Sequence, residues 1–291
     1  MIRRIFGNLY FLTFLNGFLV ASIFYFRMEA NYEQQLFSAI RANVDSQLGP
    51  KDTQDSVVVK MMQACHDLMN NRETVFEGQQ LGGIKADLLH PTSIDLMTAN
   101  GACGSFSVIL ARLLSGYDFP VRIAQMKANG RYAAHNIVEA RTNHGWIVLD
   151  PLFAVYFIRP DKQLASFTDV KNNWNYFRQQ LPPGYDTNYR YADVRYSNWS
   201  KIPVVLPAVK KILDLAVGRE TADGISIRTY FLRKYDICFW VAACAFFFVF
   251  LLALAKLIQF KIFPARNIPL TFPNIFKYLR LRMTGDESIQ G

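Results

Sequence analysis

The sequence predicts an α+β fold, with a cysteine-bearing helix packed on an antiparallel sheet, set between two transmembrane helices. Three observations carry this prediction. Two long apolar runs lie near the ends of the chain, at Ile5–Phe26 and Ile237–Ala255. Between them, "NGACGSFSVILARLL" reads as a loop that becomes an apolar helix at Cys103. Three short strand-like segments follow that helix, the first two separated by Asn129-Gly130, a strong signal for a two-residue hairpin.

The chain has 291 residues, of which 51% are hydrophobic and 19% charged, a balance tilted towards membrane association and away from disorder. The first apolar run has 22 residues without a formal charge, bracketed by Arg3-Arg4 and Arg27. The second has 19, bracketed by Arg233-Lys234-Asp236 and Lys256. Crossing a bilayer takes roughly 20 apolar residues, so both suffice. A cleaved signal peptide is the alternative for the first run, but its length and the aromatics of "SIFYF" favour an uncleaved anchor. Lys256, Lys261, Arg266, Lys277, Arg280 and Arg282 follow the second run, and Arg3 and Arg4 precede the first. The positive-inside rule then puts both termini in the cytoplasm and the intervening domain outside an inner (plasma) membrane, in the periplasm or extracellular space. Arg228, Arg233 and Lys234 weaken that orientation without reversing it. These flanks hold most of the net charge of +9, so nucleic acid is not expected as a partner.

The expected organisation is an anchor at 1–27, an extracytoplasmic domain at 28–235 with its core at about 53–180, a second span at 236–258 and a basic tail at 259–291. Residues 28–48 read as a helix ended by Gly49-Pro50. A second helix, roughly 53–71, would bury Val58, Met61, Met62, Cys65 and Met69. Glu77–Gly101 reads as loop. The helix from about Ala102 to Ser115 presents Phe106, Ile109, Leu110, Leu113 and Leu114 on one face and stops at Gly116. Strands are expected at Val121–Lys127, Arg131–Arg141 and Trp146–Leu149, with a turn at "TNHG". Phe167–Gln180 reads as helix, the tyrosine-rich 181–203 as a wrapping segment or cleft lining, and Val204–Val217 as an amphipathic helix. The tail "FPNIFKYLRLR" suits either a segment lying on an anionic leaflet or a disordered basic end.

Four cysteines are too few for a disulfide framework, and Cys238 and Cys244 lie inside the second apolar run. A thiol is nucleophilic as a thiolate, and a helix N-terminus favours that charge. Cys103 stands there, with Gly101, Ala102 and Gly104 keeping bulk away and its own N–H available to an oxyanion. A base is needed, and His135 is central in the strand "YAAHNIVEA", whereas His66, His90 and His144 have positions typical of structural or surface groups. A turn centred on Asn143-His144 puts Asp150 opposite Ile137, two residues from His135 on the same sheet face, within side-chain reach. That order of nucleophile, base and orienting acid is the logic of a catalytic triad.

"NGACGSFSVILARLLSGYDFPVRIAQM", "AAHNIVEA" and "GWIVLDPLF" together resemble the transglutaminase-like superfamily, which has the papain fold, and specifically a bacterial membrane-anchored member. The resemblance covers about residues 97–154. It implies that Cys103 is the nucleophile, His135 the general base and acid, Asp150 the orienting acid, and Asn100 the candidate for an oxyanion donor upstream of the cysteine. Asn136 departs from the family, which often has an aromatic residue after the histidine.

The resemblance implies thioester acyl transfer on amide bonds, by hydrolysis or cross-linking, and the expected topology alone suggests extracytoplasmic protein or peptide substrates within cell-envelope or polysaccharide-export work. The alternative is a catalytically inactive scaffold binding an envelope-complex partner. A third reading joins Cys65 and Cys103 in a disulfide. Membrane lipids are expected to contact both spans and the basic tail. No acidic calcium loop is visible, so no metal and no cofactor are expected.

Overall fold

Asn129 and Gly130 both adopt positive φ, 49° and 75°, the backbone a two-residue hairpin turn demands. They join β1 (Val121–Ala128) to β2 (Arg131–Thr142). In the computed structural model, which describes residues 8–76, 82–83 and 85–262, these strands form the centre of a five-stranded sheet. β3 (Gly145–Asp150) and the short β4 (Val155–Tyr156) extend it on one side, and β5 (Val194–Arg195) on the other. The order is β4-β3-β2-β1-β5, antiparallel at every pairing. The fold is α+β.

The described residues divide into two units: 27–237, and the segments 8–26 with 238–262. In the larger unit, strand alternation splits the sheet into two faces. One face presents Ile123, Val138, Ala140, Ile147 and Leu149 to the helices. Against it lie α2 (Gln54–Phe76), through Val58, Met61, Met62, Cys65 and Met69, and α4 (Cys103–Leu114), through Phe106, Ile109, Leu110 and Leu113. Each such side chain contributes about 1.5–3 kcal/mol on burial. The opposite face presents Ala124, Met126, Ile137 and Val148 to Phe157, Phe167, Phe177, Tyr185 and Tyr191.

Several expectations are corrected. The helix expected at 28–48 is the continuation of α1 (Leu9–Asp45), because no Gly or Pro falls between Gly17 and Gly49. The expected loop 77–101 contains a π-helical turn at Lys85–Leu89 and α3 (Thr92–Thr98). α3 is buried through Thr92, Ser93, Asp95 and Thr98, polar residues that hide it from any search for apolar periodicity. The helix expected over 167–180 is broken: α5 (Phe167–Asn172) starts with a Ser166–Asp169 capping box and ends at Asn173. α6 (Trp174–Phe177) and a 3-10 turn follow. β4 and β5 were not anticipated.

α7 (Val205–Val217) is amphipathic and buries none of its residues. Short helices α8 (Arg219–Asp223) and α9 (Ile227–Tyr230) lead to α10 (Lys234–Ile262). Both α1 and α10 are long and apolar enough to cross a membrane. In the smaller unit Leu12, Val249 and Ala253 form a cluster joined by Leu9, Leu15, Leu19 and Leu252. Arg3, Arg4 and the tail beyond residue 262 lie outside the described residues.

Candidate active site

Cys103 is the first residue of α4, reached through a tight passage from α3. Ala99 closes α3 in the left-handed region, and Ala102 holds φ 41°, ψ −127°, a conformation a side chain rarely adopts. The passage is tied down by a chain of hydrogen bonds. Gly101 N–H donates to Ser105 Oγ (2.9 Å), whose hydroxyl donates to Asp95 Oδ1 (2.6 Å). A Cβ on Gly101 would lie 2.4 Å from Ser105 Oγ, so only glycine fits. The thiol is half-buried, and among the described residues the Cys103 N–H gives no backbone hydrogen bond, as expected at the first turn of a helix.

His135 and Asp150 sit on the sheet face away from α4, both fully buried. The β2–β3 register pairs Val138 with Leu149 and Thr142 with Gly145, and it brings Asp150 beside His135. Asp150 Oδ2 is 2.6 Å from His135 Nε2. Two further bonds hold the carboxylate: Tyr185 donates its hydroxyl to Oδ2 at 3.1 Å and Leu152 N–H donates to Oδ1 at 3.2 Å. The β1–β2 ladder slips between Met126 and Lys127, leaving residues 133 and 134 as extra length just before His135. Bulges of this kind re-aim the side chain that follows. Tyr189 stacks on the imidazole at 4.3 Å and 9°, and Phe153 leans against it at 5.8 Å.

Sequence reasoning missed Asn136. Alternation sends it to the opposite face from His135, the face α4 covers, and there its Nδ2 donates to Cys103 Sγ at 3.4 Å. Ser107 Oγ donates to the Asn136 carbonyl (3.1 Å), joining β2 to α4 one turn below the cysteine. Arg228, on α9, donates from Nη1 to Asn136 Oδ1 (2.9 Å), which fixes the amide with its NH₂ towards sulfur. The period-2 rule applied to His135 was the signal that could have found Asn136. Arg228 is 92 residues away from it in sequence and left no such signal.

With Nε2 committed to Asp150, Nδ1 is the nitrogen left to serve the thiol. It is buried with no hydrogen bond of full geometry among the described residues, yet the His135 and Cys103 side chains are close enough to perturb each other's charge. Burial alone would lower the His135 pKa, but Asp150 and Cys103 outweigh it and raise it from 6.5 to about 9. Burial alone would raise Cys103; His135 and the Asn136 N–H and amide groups pull it below its ordinary value. Both directions favour a thiolate–imidazolium pair.

Asn100 lies in the turn between α3 and α4, its N–H donating to Thr98 Oγ1 at 3.5 Å. The remaining histidines are engaged elsewhere: His66 with Pro151 O and Asn70, His90 with Asp95, His144 with Asp55. Cys65 and Cys103 are free thiols, which removes the disulfide reading, and burial pushes the Cys65 thiol far up. Among the described residues no three His, Cys, Asp or Glu side chains converge as a metal site. No family model, curated protein or solved structure matches the chain.

Proposed function

We propose that this chain is a membrane-anchored, transglutaminase-like cysteine enzyme of papain fold that transfers acyl groups from amide bonds of extracytoplasmic proteins or peptides. The observation that carries this reading is the line from the Asp150 carboxylate through the His135 imidazole to a thiol at a helix start. Two helices long enough to span a bilayer, with basic residues flanking them, support the anchoring and the placement of residues 27–237 outside.

The residues account for each step. The Cys103 thiolate attacks the amide carbonyl, forming a C–S bond while the oxygen takes negative charge. The Cys103 N–H, with either Asn100 or the Asn136 amide, serves as donor to that oxygen. His135 gives its Nδ1 proton to the nitrogen, the C–N bond breaks and a thioester remains. Water, or an acceptor amine, then loses a proton to Nδ1 as it attacks the thioester. The C–S bond breaks and the thiolate–imidazolium pair is restored. Asp150 holds Nε2 protonated throughout.

The test is acyl-enzyme trapping. The protein in proteoliposomes is mixed with a peptide library, quenched in acid and weighed intact. A mass increase on Cys103, released by hydroxylamine and absent in Cys103→Ala and His135→Ala, is the expected result. No adduct, together with a Cys103 thiol titrating like a free one, would overturn the reading in favour of a binding scaffold.

A further inference from the structure

β1, β2 and β5 place three polar residues in one row across the sheet: Arg195 pairs with Gln125, and Gln125 with Asn136. Directly opposed residues share a face, so the row lies on the side that faces Cys103. Arg195 Nε donates to Gln125 Oε1 at 2.8 Å, and Arg228 Nη1 closes on Asn136 Oδ1. Arg228 is held there by a clamp: Ser226, just before α9, exchanges hydrogen bonds with both the N–H and the carbonyl of Ile123 on β1.

Neither arginine has a carboxylate within 4.0 Å among the described residues. The same sheet neutralises Arg122 with Glu139 at 2.7 Å and covers it with Trp146 and Tyr196. Arg195 lies over the Tyr132 ring at 4.9 Å, but it and Arg228 both lack the carboxylate partner that Arg122 has. Each guanidinium has five N–H donors, and one is accounted for by a neutral amide. Of the two, Arg228 is the one joined through a single carboxamide to the sulfur.

We propose that Arg228, assisted by Arg195, is an anion subsite that takes a free carboxylate next to the scissile amide, so that the preferred substrates are peptides carrying a carboxylate beside the bond attacked. This rests on the acyl-transfer reading and names its substrate class. A planar fork matches a carboxylate in two parallel bonds. The rival role for Arg228 is purely positional, holding the Asn136 amide towards sulfur.

Paired alkylating probes separate these. Iodoacetate and iodoacetamide attack the same thiolate, but only the first carries the carboxylate. Second-order rates on Cys103 are measured in the full-length protein at one pH, with Cys65, Cys238 and Cys244 followed by peptide mapping. Arg228→Gln is expected to lower the iodoacetate-to-iodoacetamide ratio about fivefold, Arg195→Gln about twofold, and Arg228→Lys less than Arg228→Gln. Those sizes suit a unit charge acting over several ångströms of partly screened medium. Half-molar salt should compress the wild-type ratio towards that of Arg228→Gln. A ratio unchanged in Arg228→Gln overturns the subsite, and an equal fall in both rates assigns Arg228 to positioning alone. Failure of the underlying reading looks different: wild-type iodoacetamide reactivity would itself follow an ordinary thiol.

Discussion

Replacing Asp150 with Asn removes one charge from a fully buried carboxylate while keeping its shape. The carboxylate accepts from His135 Nε2, the Tyr185 hydroxyl and Leu152 N–H. An amide can still accept from Leu152, but its NH₂ then points at His135 and donates to Nε2. The imidazole must switch tautomer, putting its proton on Nδ1, where it can no longer receive one from Cys103. The rise of the His135 pKa from 6.5 to about 9 corresponds to about 3 kcal/mol in favour of the imidazolium. Asp150 and Cys103 share that effect against burial, so losing Asp150 removes on the order of 2 kcal/mol. The thiolate population at pH 7 should fall about 10- to 100-fold. Iodoacetamide kinetics against pH measure this directly: the inflection for Cys103 moves up by at least about one pH unit in Asp150→Asn, and a circular dichroism melt checks that the variant is folded. A folded variant whose inflection coincides with that of the wild type would refute the argument, because His135 would not depend on Asp150 for its charge.

Alkylation and acylation should part company at alkaline pH. Alkylation needs only the thiolate, so its rate climbs as pH passes the lowered Cys103 pKa and then stays level. Acylation also needs the imidazolium proton, so thioester formation, read by rapid quench, falls as pH rises through about 9. Ala102→Gly relieves a positive-φ alanine and should stabilise the domain by about 1 kcal/mol, seen as a raised denaturant midpoint. Gly101→Ala should do the reverse, by roughly 1–3 kcal/mol, since its methyl group collides with Ser105 Oγ and parts the bond to Asp95. Tyr189→Ala strips the stacked ring from His135 and should slow acylation several-fold while leaving the melting transition within about 1 kcal/mol, Tyr189 being only partly buried.

What could be read from the sequence was local or periodic. Val58, Met61, Met62, Cys65 and Met69 recur at helical spacing and are the residues α2 buries. Asn143-His144 marks a turn whose register follows from its length, which places Asp150 beside His135, whereas the register after Asn129-Gly130 holds for two pairs and then slips at a bulge that no local pattern marks. α3 was illegible because four of its five buried residues are polar and Leu96 alone is apolar, which leaves no apolar stripe. β4 and β5 are two residues each, shorter than any alternation can mark. Tyr185, Tyr189 and Tyr191 fall in a turn-rich segment whose path is set by Asp150, His135 and the aromatic layer of Phe157 and Trp174, contacts of long sequence separation.

Asn136 explains why the cysteine and the histidine can come from opposite sides of one sheet. A residue and its successor on a strand point to opposite faces, so no single face of β2 can hold both a buried His–Asp pair and a group that touches a helix-borne thiol. β2 uses both faces at adjacent positions. His135 turns into the layer of Tyr185 and Phe153, where burial shields its bond to Asp150 from water. Asn136 turns into the helix layer, where it holds sulfur by its amide and α4 through Ser107. The start of α4 therefore meets β2 just past the irregular residues 133 and 134, where the ladder with β1 has slipped and the strand can present its side chains anew. Removing residue 133 or 134 would shorten only the hairpin side of the bulge, because the β2–β3 register is set by the Thr142–Gly145 turn. The His135–Asp150 pair should persist while the aim of His135 towards the thiol is lost.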